Sequence, residues 1–144
     1  MTKHSFSLLS ILLLVCVSIV GCGDKGPPLG SVSGTVTLDG EPVEGAFVDF
    51  SPLFEGGLEL RAAEKTGSDG YFEMQYDLER NGVPLGKYQV QISTQDWEKQ
   101  EDGSNKVIPE KIPKHYVGID SILEYEVVDG ENVANFELTK KKPK

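Results

Sequence analysis

The sequence predicts an all-β fold, a seven-stranded antiparallel Greek-key β-sandwich, on the strength of three observations. Apolar and polar residues alternate at period two in seven short segments of the 144-residue chain. Turns rich in Gly, Asp and Pro separate these segments. No run has the convincing helical period of an amphipathic helix. Short strands joined by tight turns at this spacing are typical of an antiparallel sandwich.

The first two strands flank an Asp-Gly turn. Their predicted inward residues are Val32, Gly34, Val36 and Leu38 in the first strand and Ala46, Val48 and Phe50 in the second. Between them, Asp39 and Gly40 are a strong turn signal, because Gly accepts positive φ and the Asp side chain bonds its own backbone. Pro52 lacks the N–H that a ladder needs, so we expect the second strand to end there.

Five further strands follow the same period-two pattern. Their predicted inward residues are Leu58, Leu60 and Ala62 in the third strand, Phe72, Met74 and Tyr76 in the fourth, Tyr88, Val90 and Ile92 in the fifth, Leu123, Tyr125 and Val127 in the sixth, and Ala134, Phe136 and Leu138 in the seventh. Turn signals at residues 67–70 and 129–130 precede the fourth and seventh strands. The connection between the fifth and sixth strands, residues 95–120, is the long one.

The beginning of the chain has the pattern of an export signal. A basic start at Lys3 and His4 is followed by an apolar run over residues 8–20 and by small residues. This run is shorter than the ~20 residues that a membrane-spanning helix needs. We therefore expect residues 1–21 to be a signal peptide that is removed.

Residues 19–22, Ile-Val-Gly-Cys, resemble the bacterial lipobox, which is cut before a cysteine that carries a diacylglyceryl group. The resemblance implies that Cys22 is lipidated and begins the mature chain. Stable attachment needs two or more acyl chains, which this modification supplies. Residues 22–30 would then be a lipidated N-terminus and a Gly/Pro tether. The implied location is exported and lipid-anchored to the cell membrane or outer membrane, facing the periplasm or the cell surface.

Two alternatives for this leader stay open. The apolar run would be an uncleaved anchor, or the chain would be cut elsewhere and Cys22 would keep a free thiol. The residue after the lipidated cysteine influences sorting, because Asp at that place tends to retain lipoproteins at the inner membrane. Here that residue is Gly23, which favours the outer membrane.

Cysteine usage and charge exclude several classes of function. Cys16 lies in the expected signal peptide and Cys22 would carry lipid, so neither is left for a disulfide or a metal site. Removal of the signal peptide would take away one of the 14 basic residues and none of the 23 acidic ones. The net charge of the mature chain would then be 13 − 23 = −10. A Lys-rich tail at residues 140–144 makes the rest of the domain more acidic still. Because phosphate binding needs clustered Lys and Arg on the domain surface, we expect no nucleic-acid partner.

Three segments carry a family resemblance. They are Val-Ser-Gly-Thr-Val-Thr-Leu-Asp-Gly-Glu-Pro-Val-Glu-Gly-Ala at residues 32–46, Thr-Gly-Ser-Asp-Gly-Tyr-Phe at residues 66–72 and Gly-Lys-Tyr-Gln-Val at residues 86–90. They resemble the carboxypeptidase regulatory-like domain, a transthyretin-like (prealbumin-like) β-sandwich, here over residues 31–139. Together with the lipobox, Pro-Lys-His-Tyr at residues 113–116 and Gly-Glu-Asn at residues 130–132, they resemble small bacterial lipoproteins, most of which have no assigned activity. Such motifs indicate fold far more than function.

The sequence offers no recognisable catalytic or metal site. Past the expected signal peptide the only His is His115, whereas a catalytic zinc needs two or more N or S ligands. Hydroxyisourate hydrolase, a transthyretin relative, depends on several His, an Arg and a C-terminal Tyr-Arg-Gly-Ser that this sequence does not have. Asp39 and Asp69 lack the spacing of a calcium loop, and no Ser lies in a Gly-x-Ser-x-Gly elbow. We therefore expect no enzyme activity, no catalytic residue, no metal and no cofactor.

Residues 95–120 are the candidate place for recognition, because long connections in small domains tend to be functional or disordered. Trp97, His115 and Tyr116 are the candidate ligand contacts. The simpler interpretation, which we favour, is that Trp97 and Tyr116 cover an open edge or end of the sandwich. Two functions follow. One is a non-catalytic, membrane-anchored interaction or structural module of the cell envelope, with an envelope protein or polysaccharide as partner, and the other is a carbohydrate-binding accessory module that uses residues 95–120.

Overall fold

The protein forms two main sheets and a separate hairpin in a computed structural model that describes residues 26–54 and 60–141. The all-β fold class predicted from the sequence is confirmed. The strands are β1 (Leu29–Leu38), β2 (Glu41–Pro42), β3 (Phe47–Pro52), β4 (Ala62–Lys65), β5 (Tyr71–Glu73), β6 (Val83–Pro84), β7 (Gly86–Ser93), β8 (Asp96–Lys99), β9 (Asn105–Ile108), β10 (Leu123–Val127), β11 (Gly130–Val133) and β12 (Phe136–Leu138). The predicted signal peptide, the lipobox and Cys22 lie outside the described residues. Within the described ranges, no helix is long and apolar enough to span a bilayer.

Strand β1 is the centre of the first sheet, because both of its edges are paired. On one edge it runs parallel to β11 and then to β12. On the other edge it is antiparallel to β6, β5 and β2 in turn. Alternation along the strand places Val32 and Val36 in the core, where both are fully buried.

The change of partner from β11 to β12 occurs opposite Gly34. Ala134 N donates to Ser33 O at 2.8 Å, and Thr35 N then donates to the side-chain Oδ1 of Asn135 at 3.0 Å. A Cβ built on Gly34 would lie 2.0 Å from Ala134 O. Only glycine therefore allows the two backbones to approach this closely.

Asn132 ties the turn between β10 and β11 to β1. Asn132 is only 6% exposed, so its side-chain amide is buried. Its Oδ1 accepts from Val128 N at 3.0 Å. Its Nδ2 faces three carbonyl oxygens, those of Ser31 at 3.1 Å, Val128 at 2.8 Å and Gly130 at 3.2 Å. Every polar atom of this buried amide is thus satisfied, which fixes where β11 begins.

The second sheet has the order β10-β7-β3-β4 and is antiparallel throughout. Its fully buried inward residues are Val48, Phe50, Tyr88, Val90 and Ile92, all of them predicted from the alternation. Phe50 reaches across to the first sheet, where its ring centroid lies 6.3 Å from that of Phe136. Phe72 stacks on the same Phe136 ring at 6.1 Å. Burial of each such side chain is worth about 1.5 to 3 kcal/mol, so this layer holds the two sheets together.

The strands differ from the predicted pattern in number and in direction. Twelve strands are present in the described residues, because several short strands share each edge of β1. Strands β11 and β12 run parallel to β1, although we expected antiparallel pairing throughout. The chain passes from β10 of the second sheet into the first sheet at the turn before β11, where Gly130 has φ 91°, and this turn sets it alongside β1 in the same direction.

Two predicted strands are shorter than expected. Tyr76, assigned to the fourth predicted strand, lies beyond β5 in a turn where its N–H donates to Arg80 O at 3.0 Å. Of the third predicted strand, Ala62 begins β4, Leu60 precedes it, and Leu58 lies outside the described residues. At Tyr76 the turn ends the strand before the apolar pattern ends.

Residues 95–120 are more regular than one long loop. Strands β8 and β9 form an antiparallel hairpin. Two short 3-10 helices, Lys114–Tyr116 and Gly118–Asp120, follow before β10. Ile112 and Tyr116 are buried in the core. The first half of the segment therefore projects as a hairpin, and the second half packs against the sandwich.

Candidate functional site

A cleft of about 530 Å³ opens at the end of the sandwich where β1 finishes. Its walls come from the β1–β2 turn, the residues before β3, the end of β4 and the base of the β8–β9 hairpin. The lining residues are Leu38, Glu41, Pro42, Val43, Glu44, Gly45, Lys65, Thr94, Asp96, Ile108, Lys111 and Lys140. Sequence segments far apart along the chain thus meet at this end.

The end of β1 and strand β2, joined by a two-residue turn, form one wall of the cleft. Asp39 (φ 52°) and Gly40 (φ 88°) both adopt the left-handed backbone that a two-residue hairpin turn requires. Asp39 N donates to Leu138 O at 2.8 Å. The Asp39 carboxylate accepts from Lys140 N at 3.2 Å and lies 3.4 Å from Lys140 Nζ. Lys140, predicted as part of the 140–144 tail, is therefore held at the cleft.

A buried threonine shapes the wall that leads into β3. The Thr66 hydroxyl donates to Val43 O at 2.6 Å and accepts from Ala46 N at 2.8 Å. The backbone of Thr66 also exchanges hydrogen bonds with Gly45 and Ala46, at 3.0 and 2.9 Å. These hydrogen bonds give partners to polar groups of the turn that would otherwise be buried without one. The wall is consequently rigid.

Lys65 and Asp96 link β4 to the hairpin across the cleft. Lys65 Nζ lies 2.7 Å from Asp96 Oδ2 and 4.9 Å from the centre of the Phe47 ring. The hydrogen bond from Lys65, followed by one from the Trp97 backbone N–H, lowers the pKa of the Asp96 carboxyl. Both side chains are partly exposed, so this contact between β4 and the hairpin contributes little to stability.

Glu110 closes the base of the hairpin. Its Oε1 accepts from Thr94 N at 2.9 Å, from Thr94 Oγ1 at 2.8 Å and from Ile112 N at 2.8 Å. The Ser93 hydroxyl donates to its Oε2. Burial acts to raise the pKa of Glu110, but these hydrogen bonds outweigh burial and the net shift is downward. The ionised carboxylate therefore joins the chain before β8 to the chain after β9.

The two faces of the hairpin are chemically different. Asp96 pairs with Ile108 in register, and both line the cleft. Trp97 pairs with Val107 on the opposite face, because successive residues of a strand point to opposite sides. Trp97 is 64% exposed and Val107 is 47% exposed. The hairpin thus presents an exposed apolar pair to solvent, on the face opposite to the residues that line the cleft.

The candidate contacts predicted from the sequence are placed in two different environments. Trp97 lies on the exposed face of β8. His115 and Tyr116 lie together in a 3-10 helix, with ring centroids 4.1 Å apart. Tyr116 is 3% exposed, and its hydroxyl accepts from Thr139 N at 3.3 Å. Tyr116 is therefore part of the core, and of the three candidate contacts Trp97 is the exposed one.

The cleft itself was not identified from the sequence. It brings together Lys65, Lys111 and Lys140 with Glu41, Glu44 and Asp96, three charges of each sign in a chain whose net charge is −9. Leu38, Val43 and Ile108 add apolar surface. Such a lining fits polar and apolar groups of a protein surface. Its only local signal in the sequence was the Asp39-Gly40 turn.

No protein-family model and no curated protein matches the sequence. Among solved structures, the chain is similar to BcpA, the major pilin subunit of Bacillus cereus, with 13% identity and a TM-score of 0.46 over 80% of this chain and 31% of the pilin. A variant of the same pilin gives 13% identity and a TM-score of 0.44 over 81% and 31%. A 9R-lipoxygenase from Cyanothece PCC8801 gives 14% identity and a TM-score of 0.43 over 92% of this chain and 20% of the enzyme.

The chain spans less than a third of the length of each of these proteins. With TM-scores below 0.5, these likenesses carry no argument about family or function. The resemblance to carboxypeptidase regulatory-like domains and to bacterial lipoproteins stays a prediction from the residues that carry it.

Proposed function

We propose that the protein is a non-catalytic, lipid-anchored β-sandwich of the cell envelope that binds an envelope protein through the hairpin and the cleft. The observation that carries this proposal is the exposed pair of Trp97 and Val107 beside the cleft. Trp is enriched, with Tyr and Arg, among the few residues that carry most of the binding energy of protein interfaces. Anchoring through Cys22 and export through residues 1–21 rest on the sequence pattern.

The hairpin is suited to binding because its position is fixed before a partner arrives. Glu110 joins its two ends through four hydrogen bonds, and Lys65 holds Asp96 from the neighbouring sheet. A partner that contacts Trp97 therefore need not first order the hairpin, which reduces the entropic cost of binding. The balanced charges of the cleft, on the other face of the hairpin, supply polar groups to a partner that reaches around the hairpin.

The interface is tested by capture of partners from intact envelopes with the lipidated protein. Trp97→Ala should lower the recovery or affinity of the captured protein by about 30-fold, the effect of removing a central Trp. Ile119→Ala is the matched control, because Ile119 is 87% exposed and lies outside the hairpin. Equal capture by the two variants would exclude the hairpin as the binding surface.

The anchor is tested separately by cell fractionation. Cys22→Ser should move the protein from the membrane fraction to the soluble fraction, because no acyl chain would then be attached. Intact mass of the native protein should show the added lipid. Retention of the Cys22→Ser protein in membranes would show that lipid is not the anchor.

Carbohydrate binding is the second candidate, and the exposed indole of Trp97 is the observation that favours it. The flat face of an indole offers a large apolar area on which a sugar ring can stack. Binding on a glycan array should be lost in Trp97→Ala and kept in Ile119→Ala. Glycan binding that survives Trp97→Ala removes this candidate.

A further inference from the structure

The end of the sandwich where β1 begins is close in sequence to Cys22. Gly26 is the first described residue, four positions after Cys22. An extended chain spans at most about 3.3–3.6 Å per residue, so Gly26 lies no more than about 14 Å from Cys22. If Cys22 carries lipid, as proposed above, this end of the sandwich is held at the bilayer surface.

Four exposed apolar residues lie at this same end. We call them the anchor rim: Leu53, Phe54, Leu78 and Val128. Leu53 is 54% exposed, Val128 is 53% exposed and Leu78 is 97% exposed. Phe54 is 38% exposed and presents the remainder of its ring to the protein.

Contacts around Gly86, the first residue of β7, place Leu53 and Phe54 at this end. Leu53 N donates to Lys87 O at 2.9 Å. A Cβ built on Gly86 would lie 2.7 Å from Phe54 Cε1, so the ring covers the start of β7. The preceding residue, Leu85, donates its N–H to Pro28 O at 3.2 Å. Pro28 lies just before β1, which brings these residues to the beginning of that strand.

Val128 and Leu78 reach the same end from other parts of the chain. A Cβ built on Gly30, near the start of β1, would lie 2.3 Å from Val128 O. A Cβ built on Gly26 would lie 2.8 Å from Arg80 Nη1, two residues beyond Leu78. All members of the anchor rim therefore surround the first residues of β1.

Leu78 projects from a well-defined turn. Asp77 Oδ1 accepts from Glu79 N at 3.0 Å and from Arg80 N at 2.8 Å. Arg80 also pairs with the Asp77 carboxylate at 2.7 Å and lies 4.7 Å above the Tyr76 ring. The polar groups of the turn are thus hydrogen-bonded to one another. The Leu78 side chain is its most exposed apolar group.

We infer that the anchor rim rests in the interfacial region of the lipid bilayer beside the lipidated N-terminus. This seating rests on the proposed lipid anchor and adds an orientation to it. The long axis of β1 leads away from the membrane, and its far end carries the cleft and the hairpin. Trp97 and Val107 are then presented to partners at the side opposite the bilayer.

The lipid partner is zwitterionic rather than anionic. The charged residues that neighbour the rim in the described sequence are Asp77, Glu79, Arg80, Lys87 and Asp129, and Arg80 is paired with Asp77. Acidic groups therefore outnumber basic ones, and a negatively charged surface would repel this end. The rim contacts lipid through apolar area, which an interfacial group buries to a depth of about 5–10 Å.

The orientation is tested with tryptophan fluorescence in vesicles of phosphatidylethanolamine and phosphatidylcholine that contain lipid with bromine in the upper acyl chain. The native lipidated protein reports on Trp97, its only Trp. The double variant Leu78→Trp with Trp97→Phe reports on the anchor rim. Quenching at the rim should exceed that of native Trp97 by at least about twofold, because a group seated 5–10 Å into the interface meets the quencher.

The native Trp97 protein is the matched control, since it carries the same fluorophore at an exposed position of the far end. Equal quenching of the two proteins, or quenching of neither while both float with the vesicles, overturns the seating and leaves the lipid anchor standing. Failure of the native protein to float with the vesicles overturns the anchor and the seating together.

Discussion

Asn132→Asp is a sharp test of the buried amide that fixes β11. The substitution keeps the shape of the side chain and replaces the Nδ2 donor by an oxygen. That oxygen would face the carbonyl oxygens of Ser31, Val128 and Gly130 at the observed 2.8–3.2 Å. A carboxylate there has no donor on that side and is shielded from water, since residue 132 is 6% exposed.

The size of the effect follows from the lost hydrogen bonds. Asn132→Ala removes one accepted bond and the two bonds that the Nδ2 hydrogens donate among the three carbonyl oxygens, worth about 1 kcal/mol each, so we expect a loss of about 3 kcal/mol of unfolding free energy. Asn132→Asp should lose about 3–5 kcal/mol at pH 7, the cost of a buried charge without a partner. A domain of this size loses about 3–6 °C of Tm for each kcal/mol.

The two variants should respond differently to pH. Burial among carbonyl oxygens raises the pKa of the introduced carboxyl in the folded state above its unfolded value of about 3.9. The folded variant then binds more protons than the unfolded one, so its stability is highest below about pH 3.9 and falls as the pH rises through the folded pKa. The deficit of Asn132→Asp relative to the native protein should therefore shrink between pH 7 and pH 4, while that of Asn132→Ala stays nearly constant.

Urea unfolding of the native protein and the variants at pH 7 and pH 4 measures these deficits directly. Asn105→Asp is the control, because Asn105 is exposed on β9 and should change stability by less than about 0.5 kcal/mol. A deficit of Asn132→Asp below about 1 kcal/mol at pH 7, or one that does not shrink at pH 4, would refute the assignment of Nδ2 as the group that faces the three carbonyl oxygens.

Three further predictions concern the hairpin, the close approach at Gly34 and the core. Glu110→Ala should lower the unfolding free energy by about 2 kcal/mol and speed amide exchange in β8 and β9. Because the folded pKa of Glu110 lies below its ordinary value of 4.5, the part of this difference that depends on the carboxylate charge should persist above about pH 4.5 and be lost as the pH falls through the folded pKa. Gly34→Ala should cost about 3 kcal/mol in urea unfolding because of the contact with Ala134 O, whereas Gly40→Ala, with open space around it, should cost about 1 kcal/mol. Burial raises the pKa of Tyr88 to about 12, so ultraviolet titration should show a late phenolate step that Tyr88→Phe removes.

The alternation of side chains predicted the core because it is a local property. Val48, Phe50 and Val90 are buried in the order that period two requires. The pairing of strands was not predictable in this way, since Thr35 meets Asn135 across 100 positions of sequence. The Gly34 contact that sets the boundary between β11 and β12 also depends on a distant backbone, and a single Gly in the sequence does not indicate its partner.

The site was predicted only in part for the same reason. Strand β8 has the sequence Asp-Trp-Glu-Lys. With a single apolar residue it has too little period-two pattern to predict a strand, so the sequence predicts a loop over residues 95–120. The sequence indicated two aromatic candidates, Trp97 and Tyr116. It did not indicate that Trp97 is exposed to solvent and that Tyr116 is buried in the core. The cleft lies between residues as distant as Leu38 and Lys140, which no local motif connects.

The pairing of β1 with β11 and β12 also determines when the domain is able to fold. During synthesis, β1 emerges about a hundred residues before the strands that cover one of its edges, as the separation of Thr35 and Asn135 shows. Closing so large a loop is slow, and one edge of β1 stays unpaired until β11 and β12 have been made. Under the proposed export route, this delay keeps the chain unstructured while it is threaded across a membrane, and folding begins on the far side.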